Sequence, residues 1–161
     1  YERRLRALGP DNPDVYTAAQ NLVDFEIILG RPREALRLAE ESLAQRQRLL
    51  GATHIEALNA GEVLSRALVA AGEYARAVPL LERETDESRT DNPPSDRSRA
   101  MASWYLAQAY RGLGRDAEAH TLIAEATSGL TEATHEELNP PQRYALKQLR
   151  AYLARVAADK S

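Results

Sequence analysis

The sequence contains no cysteine, and only one methionine, one tryptophan and one phenylalanine in 161 residues. Without cysteine there is no disulfide, no thiolate nucleophile and no zinc–thiolate site. The composition is compatible with a reducing cytosol, so a cytoplasmic location is expected. A basic surplus is also missing: Lys and Arg total 21 against 24 Asp and Glu, a net charge of −3. That argues against nucleic acid as the main partner, because neutralising phosphates needs a basic face. No apolar run approaches bilayer-spanning length and no signal-peptide pattern is visible, so no membrane role is expected. Chemical motifs are equally scarce. There is no glycine-rich phosphate loop and no serine on a nucleophile elbow. His120 and His135 lack ligand spacing, and His135-Glu136-Glu137 lacks the second histidine of a helical metalloprotease motif. The acidic residues are scattered, often beside arginine, as in Glu2-Arg3 and Glu82-Arg83. No catalysis, metal or cofactor is expected.

What the chain does have is a period. Gly30, Gly72 and Gly114 stand 42 residues apart, as do Ala35, Ala77 and Ala119, Leu22, Leu64 and Leu106, and Leu38, Leu80 and Leu122. The Leu8-Gly9 pair returns as Leu50-Gly51. The stretch LGPDNPDV, Leu8 to Val15, is therefore a link between repeats, and residues 1–8 are the tail of a preceding one. The opening YERRLRAL reads as a severed helix, which predicts a longer parent protein. The chain divides into that tail (1–8), repeats at 9–50, 51–92 and 93–134, and a capping helix at 135–161.

Each unit reads as two helices. Val15, Ala18, Ala19, Leu22, Phe25 and Leu29 recur at three- and four-residue steps, predicting a helix capped by Asn12, with Pro13 at its first position and Gly30 at its end. Pro32 opens a second helix to about Leu50, with Ala35, Leu38, Ala39, Leu43 and Leu49 or Leu50 inward and the polar run Gln45–Arg48 interrupting the stripe. Thr53-His54-Ile55-Glu56 has the form of a capping box for a helix to about Ala71, with His54 in a loop or cap role. Further helices are predicted from about Tyr74 to Ser88, Asp96 to Leu113 and Asp116 to Leu130, with a turn-rich link over Thr90–Asp96. The last runs from Asn139-Pro140-Pro141-Gln142 to about Ala157. Its apolar stripe, Leu146, Leu149, Leu153 and Val156, suits a cap over the third unit. The adjacent Arg143, Lys147 and Arg150 keep the open end soluble, or bind an acidic partner. A helix pair this small cannot bury its apolar face alone, so the repeats must stack. Ala35, Ala77 and Ala119, with Ala67 and Ala109 opposite, mark where the two helices of a unit cross closely.

These residues resemble tetratricopeptide repeats, most clearly in Leu106, Ala107, Tyr110, Gly114, Ala119, Ile123 and Ala126. The 42-residue period, the LGPDNPDV link and GEYARAVPLLER (Gly72–Arg83), with Pro79 inside a helix, are similar to the kinesin light chain subtype. Glu26 stands where Tyr110 supplies the usual aromatic, and the third link lacks Leu-Gly. The resemblance implies an all-α, right-handed superhelical solenoid of antiparallel helix pairs, closed by a C-terminal capping helix. It also implies a concave groove, lined by the first helices, that takes a protein or peptide ligand. The groove positions become Thr17, Gln20, Asp24, Ile27 and Ile28; Asn59, Glu62, Arg66, Val69 and Ala70; and Met101, Trp104, Gln108, Arg111 and Gly112. Arg66 and Arg111 would hold a carboxylate, and Met101 and Trp104 would supply apolar anchors. Trp104 alternatively packs between repeats, and Arg66 is alternatively held by Glu62 four residues before it. Asn21, preceding Leu22, either hydrogen-bonds a ligand backbone or is solvated.

The resemblance thus implies a protein- or peptide-binding scaffold. Related readings are a regulatory or sensor module of a larger signalling protein, such as a bacterial kinase or transcription regulator, and a module that self-associates through the open N-terminal end. An enzyme is the least favoured class.

Overall fold

The reversal inside each predicted repeat occurs at a glycine in the left-handed region: φ is 72° at Gly30, 77° at Gly72 and 75° at Gly114. In each case the residue after the glycine closes the preceding helix. The N–H groups of Arg31, Glu73 and Arg115 donate to the carbonyls of Glu26, Leu68 and Tyr110 at 2.8, 2.9 and 2.8 Å. A side chain at the glycine would meet the left-handed penalty at the residue that reverses the chain.

The computed structural model describes residues 1–91, 96–131 and 138–159. Among them are eight helices and no strand: α1 (Glu2–Leu8), α2 (Pro13–Ile28), α3 (Pro32–Leu50), α4 (Ile55–Ala70), α5 (Tyr74–Asp91), α6 (Arg97–Gly112), α7 (Asp116–Thr131) and α8 (Pro140–Ala158). No helix there is long and apolar enough to cross a membrane. The repeat boundaries at 92/93 and 134/135, most of the Thr90–Asp96 link and the His135-Glu136-Glu137 run lie outside the described residues.

Contacts divide the chain into two compact units, Tyr1–Leu80 and Leu81–Ser161. In the first, α2 packs on α1, α3 and α4, and α3 on α4. Asn12 caps α2, its Oδ1 accepting from the Asp14 N–H at 2.9 Å with Pro13 at the first position. The cap of α4 is His54 rather than Thr53: its Nδ1 accepts from the Glu56 N–H at 3.2 Å. The imidazole stands one residue closer to the helix and takes the donor that a threonine hydroxyl would have taken.

Two expected apolar faces differ from the structure. On α2, Val15 is buried with Tyr16, Val23 and Ile27, whereas Phe25 is 52% and Leu29 62% exposed. On α3, Ala35 and Ala39 are buried as expected, but Leu38, Leu43, Leu49 and Leu50 are only half-buried, and Arg46 is 1% exposed. Residues 35, 39 and 46 fall on one helical stripe, so the polar run does not interrupt it; Arg46 enters the core. Its guanidinium lies 4.7 Å from the centroid of the Tyr16 ring, and Nη2 donates to the Tyr16 carbonyl at 2.8 Å. Its Nε and Nη1, like the Tyr16 hydroxyl, have no hydrogen-bond partner among the described residues. Burial holds the Arg46 pKa below its ordinary value, against the pull of Glu56.

In the second unit, α6 and α7 cross so closely that a Cβ on Gly129 would stand 2.5 Å from the Ala100 Cβ. Their shared polar anchor is Glu125. Its Oε2 accepts from the Ser103 hydroxyl at 2.8 Å, Arg89 Nη2 reaches both carboxylate oxygens at 3.1 Å, and Arg99 lies at 3.6 Å. Helix α8 packs on α6 and α7, burying Leu146 and Leu149; Leu153 and Val156 are half-buried. Asn139 and Gln142 form a reciprocal capping box at its start, with both hydrogen bonds at 3.0 Å.

Two stability predictions follow from the buried charges. Arg46→Met keeps most of the unbranched apolar stem and removes the charge with its two orphan donors, so it should melt at or near the parent. Arg46→Ala should lose about 2–4 kcal/mol through the cavity it leaves. Urea unfolding of both variants checks this, and a Met variant as weak as the Ala variant would show that the charge itself holds Tyr16.

The second concerns Glu125. Burial alone would raise its carboxyl, but the hydrogen bonds from Ser103 and Arg89 and the charges of Arg89 and Arg99 hold it below the ordinary 4.5. A depressed folded value contributes stability above the unfolded pKa that is lost as the pH falls through the folded one. The parent should therefore exceed Glu125→Gln by about 1–2 kcal/mol at pH 7, with the gap narrowing below about pH 4.5. Thermal melts at pH 7 and pH 3 measure it.

Candidate functional site

Equivalent positions on successive first helices meet. Asp24 on α2 and Arg66 on α4 each lie six residues before their turn glycine, and their side chains pair. Arg66 Nε and Nη2 are 3.3 and 3.2 Å from Asp24 Oδ1, and Nη2 is 3.5 Å from Oδ2. Both side chains are only 15% exposed. Glu62 contributes its main-chain carbonyl, 3.4 Å from Arg66 Nη1. The carboxylate that engages Arg66 thus comes from the neighbouring repeat, in the place where a ligand carboxylate was expected. Around this pair, Gln20 and Asn59 are half-buried, while Asn21 and Glu62 are exposed. Ile27 and Val69 belong to the core, at 6% each.

In the second unit the corresponding face lies between α6 and α8. Trp104 is 2% exposed. Its Nε1 donates to Gln148 Oε1 at 3.4 Å, and its ring stands 6.3 Å from that of Tyr152, tilted by 52°. The indole is thus held beneath α8. The Arg111 guanidinium sits over the other aromatic, 4.3 Å from the Tyr152 centroid, with Nε 3.8 Å from the Asp116 carboxylate. Its side chain remains 38% exposed. Gln108, one turn earlier, is half-buried, and its Nε2 has no hydrogen-bond partner among the described residues. Met101 is half-buried, and Gly112 is exposed.

Sequence reasoning missed Gln148 and Tyr152. A partial signal was present: Tyr152 stands 42 residues after Tyr110, and Asn139-Pro140 resembles the Asn12-Pro13 opening, one residue out of the period.

Chemically, the two faces offer charge and hydrogen bonding. The Asp24–Arg66 pair is internally neutralised. Arg111 is an oriented cation whose planar group is stacked on one side and open to solvent. No group of three or more metal-ligating side chains occurs among the described residues.

Residues 14–86, which run from the start of α2 into α5, match the family model described as tetratricopeptide repeat, so this stretch is similar to tetratricopeptide repeats. A comparison with curated proteins finds no match.

The Asp24–Arg66 pair lies between an exposed ion pair and a buried one, so Asp24→Ala should destabilise the chain by about 1–2 kcal/mol. Urea midpoints of the parent, Asp24→Ala and Asp24→Asn test this. Unchanged midpoints would mean that the pair contributes nothing to holding α2 on α4.

Proposed function

We propose that this chain, whose residues 14–86 match tetratricopeptide repeats, is a protein- or peptide-binding scaffold whose ligand lies along the first helices. Tetratricopeptide repeats generally mediate protein–protein interaction. The observation that carries the reading is the Asp24–Arg66 pairing: two equivalent positions, 42 residues apart, turn toward each other on adjacent first helices. This pairing supports reading the register that the resemblance assigns to a groove as one surface within the first unit, with Gln20, Asn21, Asn59 and Glu62 near the pair. In the second unit the same register presents Met101, Gln108 and Arg111. Arg111 is the energetic centre of this proposal, because stacking on Tyr152 fixes its guanidinium before a ligand carboxylate arrives. Trp104 supports from beneath. The 42-residue period supports the kinesin light chain-like subtype, and the cysteine-free composition suits the cytoplasm. Self-association through the N-terminal end is a second reading, favoured by the exposure of Phe25 and Leu29 on α2.

Peptides selected from a random display library against the immobilised chain provide the probe. Titrated against the soluble protein, they should bind Arg111→Ala at least tenfold more weakly than the parent, while its melting temperature stays within a degree or two. Equal affinities would move the ligand off this face. Trp104→Ala is not a clean probe, since truncating a buried tryptophan costs about 3–5 kcal/mol by itself.

A further inference from the structure

On the opposite side of the helix pairs, the second unit has an open groove of about 430 Å³ between α5, α6 and α7. It is lined by the buried Leu106 and Leu122, by the carboxylates Glu82, Asp86 and Glu118, and by Arg89 and Tyr110. The groove belongs to the repeat and is not a local accident. Moved back 84 residues, Asp86, Leu106, Tyr110, Glu118 and Leu122 become Glu2, Leu22, Glu26, Glu34 and Leu38. All five line a groove of about 870 Å³ in the first unit.

The intermediate register shows what such a place accepts. Glu82 corresponds to Glu40, and Glu118 to Arg76. In the first unit the Arg76 guanidinium spans the two second helices, 2.6 Å from Glu40 and 2.6 Å from Glu73. In the second unit Glu118 replaces that arginine and turns to Arg115. Glu82 keeps the Tyr110 hydroxyl as donor at 2.7 Å but makes no ion pair among the described residues. Arg89, which lines the groove, is already engaged by Glu125 and Asp86, and the Arg115 guanidinium, 4.0 Å over the Tyr110 ring, is held by Glu118. Burial, together with Glu82, pushes Tyr110 up to about 12, so it remains a donor at neutral pH. What is left is a carboxylate with an oriented donor, a vacated guanidinium position and a pair of leucines for an aliphatic stem.

We propose that the groove between α5 and α7 binds an arginine side chain of a partner polypeptide, the guanidinium on Glu82 and the methylene stem along Leu106 and Leu122. The partner restores the contact that Arg76 makes to Glu40. This surface is separate from the first-helix face and stands or falls without it.

The probe is acetyl-Leu-Arg-Leu-amide, with citrulline replacing arginine as the uncharged control, titrated into the isotope-labelled full chain and followed by amide NMR shifts. Shifts should concentrate at residues 81–91 and 118–122. The citrulline probe should bind at least tenfold more weakly, and Glu82→Gln should weaken the arginine probe by a similar factor. Glu118→Arg, which returns the guanidinium of the preceding register to the groove, should abolish binding without lowering the melting temperature. Arg111→Ala should bind the probe like the parent. Equal binding of the two probes, undiminished binding by Glu82→Gln, or shifts centred on α8 and Arg111 would each overturn the proposal.

Discussion

Close approach of the two helices in a pair is the constraint on which the rest of the structure depends. Ala35, Ala77 and Ala119 have no exposed surface, nor do Ala67 and Ala109. With only methyl groups at these positions, backbones can come near enough for long side chains one turn away to reach across. In the second unit the approach is closer still, since at Gly129 even a methyl group would collide with Ala100. The glycine turns serve the same constraint. A reversal completed in two residues keeps the second helix tight against the first and fixes its register. Once that register repeats every 42 residues, equivalent positions must face equivalent neighbours, which is why Asp24 finds Arg66.

Much of this was legible in the sequence because it rests on residues with few conformational alternatives. A glycine after a periodic stretch, a proline after an asparagine and an alanine at fixed spacing each have one dominant reason to be there. What was not legible depended on how much neighbour each face receives. Phe25 occupies the register of Ala67 and Ala109, which have no exposed surface, yet it is half exposed. Arg46 misled for a different reason. Its residue type argues for solvent, and the helical stripe through Ala35 and Ala39 argues for the core. The stem length of arginine allows both answers, and only packing against Tyr16 decides between them.

The candidate site was legible in position but not in partnership. Counting back from the turn glycines placed the candidate residues on α2, α4 and α6. It could not say that the carboxylate expected from a ligand at Arg66 is supplied by Asp24, because an ion pair between repeats leaves no short-range pattern. Trp104 was open to two readings, and its burial follows from Gln148 and Tyr152. Those two residues lie on a helix whose repeat character is visible mainly in its opening, Asn139-Pro140, and in the one tyrosine that keeps the period.

Differences between repeats therefore carry more functional information than their similarities. Positions that keep their identity, such as the alanines and turn glycines, answer to the helix pair. Positions that change charge at constant geometry answer to something else. Arg76 and Glu118 share a register, and each is exposed enough that folding alone would tolerate either residue. The arginine reaches Glu40, whereas the glutamate turns to Arg115 beside a groove lined by two leucines. Tyr110 sharpens the difference, since Leu68 in the same register could offer no hydroxyl. On the first-helix side the logic is inverted. Asp24 and Arg66 neutralise each other within one unit, whereas Arg111, with Tyr152 beneath it, keeps its charge toward solvent. The first unit thus satisfies its polar position on each face from within, by Asp24–Arg66 and by Glu40–Arg76, whereas the second presents Arg111 on one face and Glu82 on the other, two groups of opposite sign.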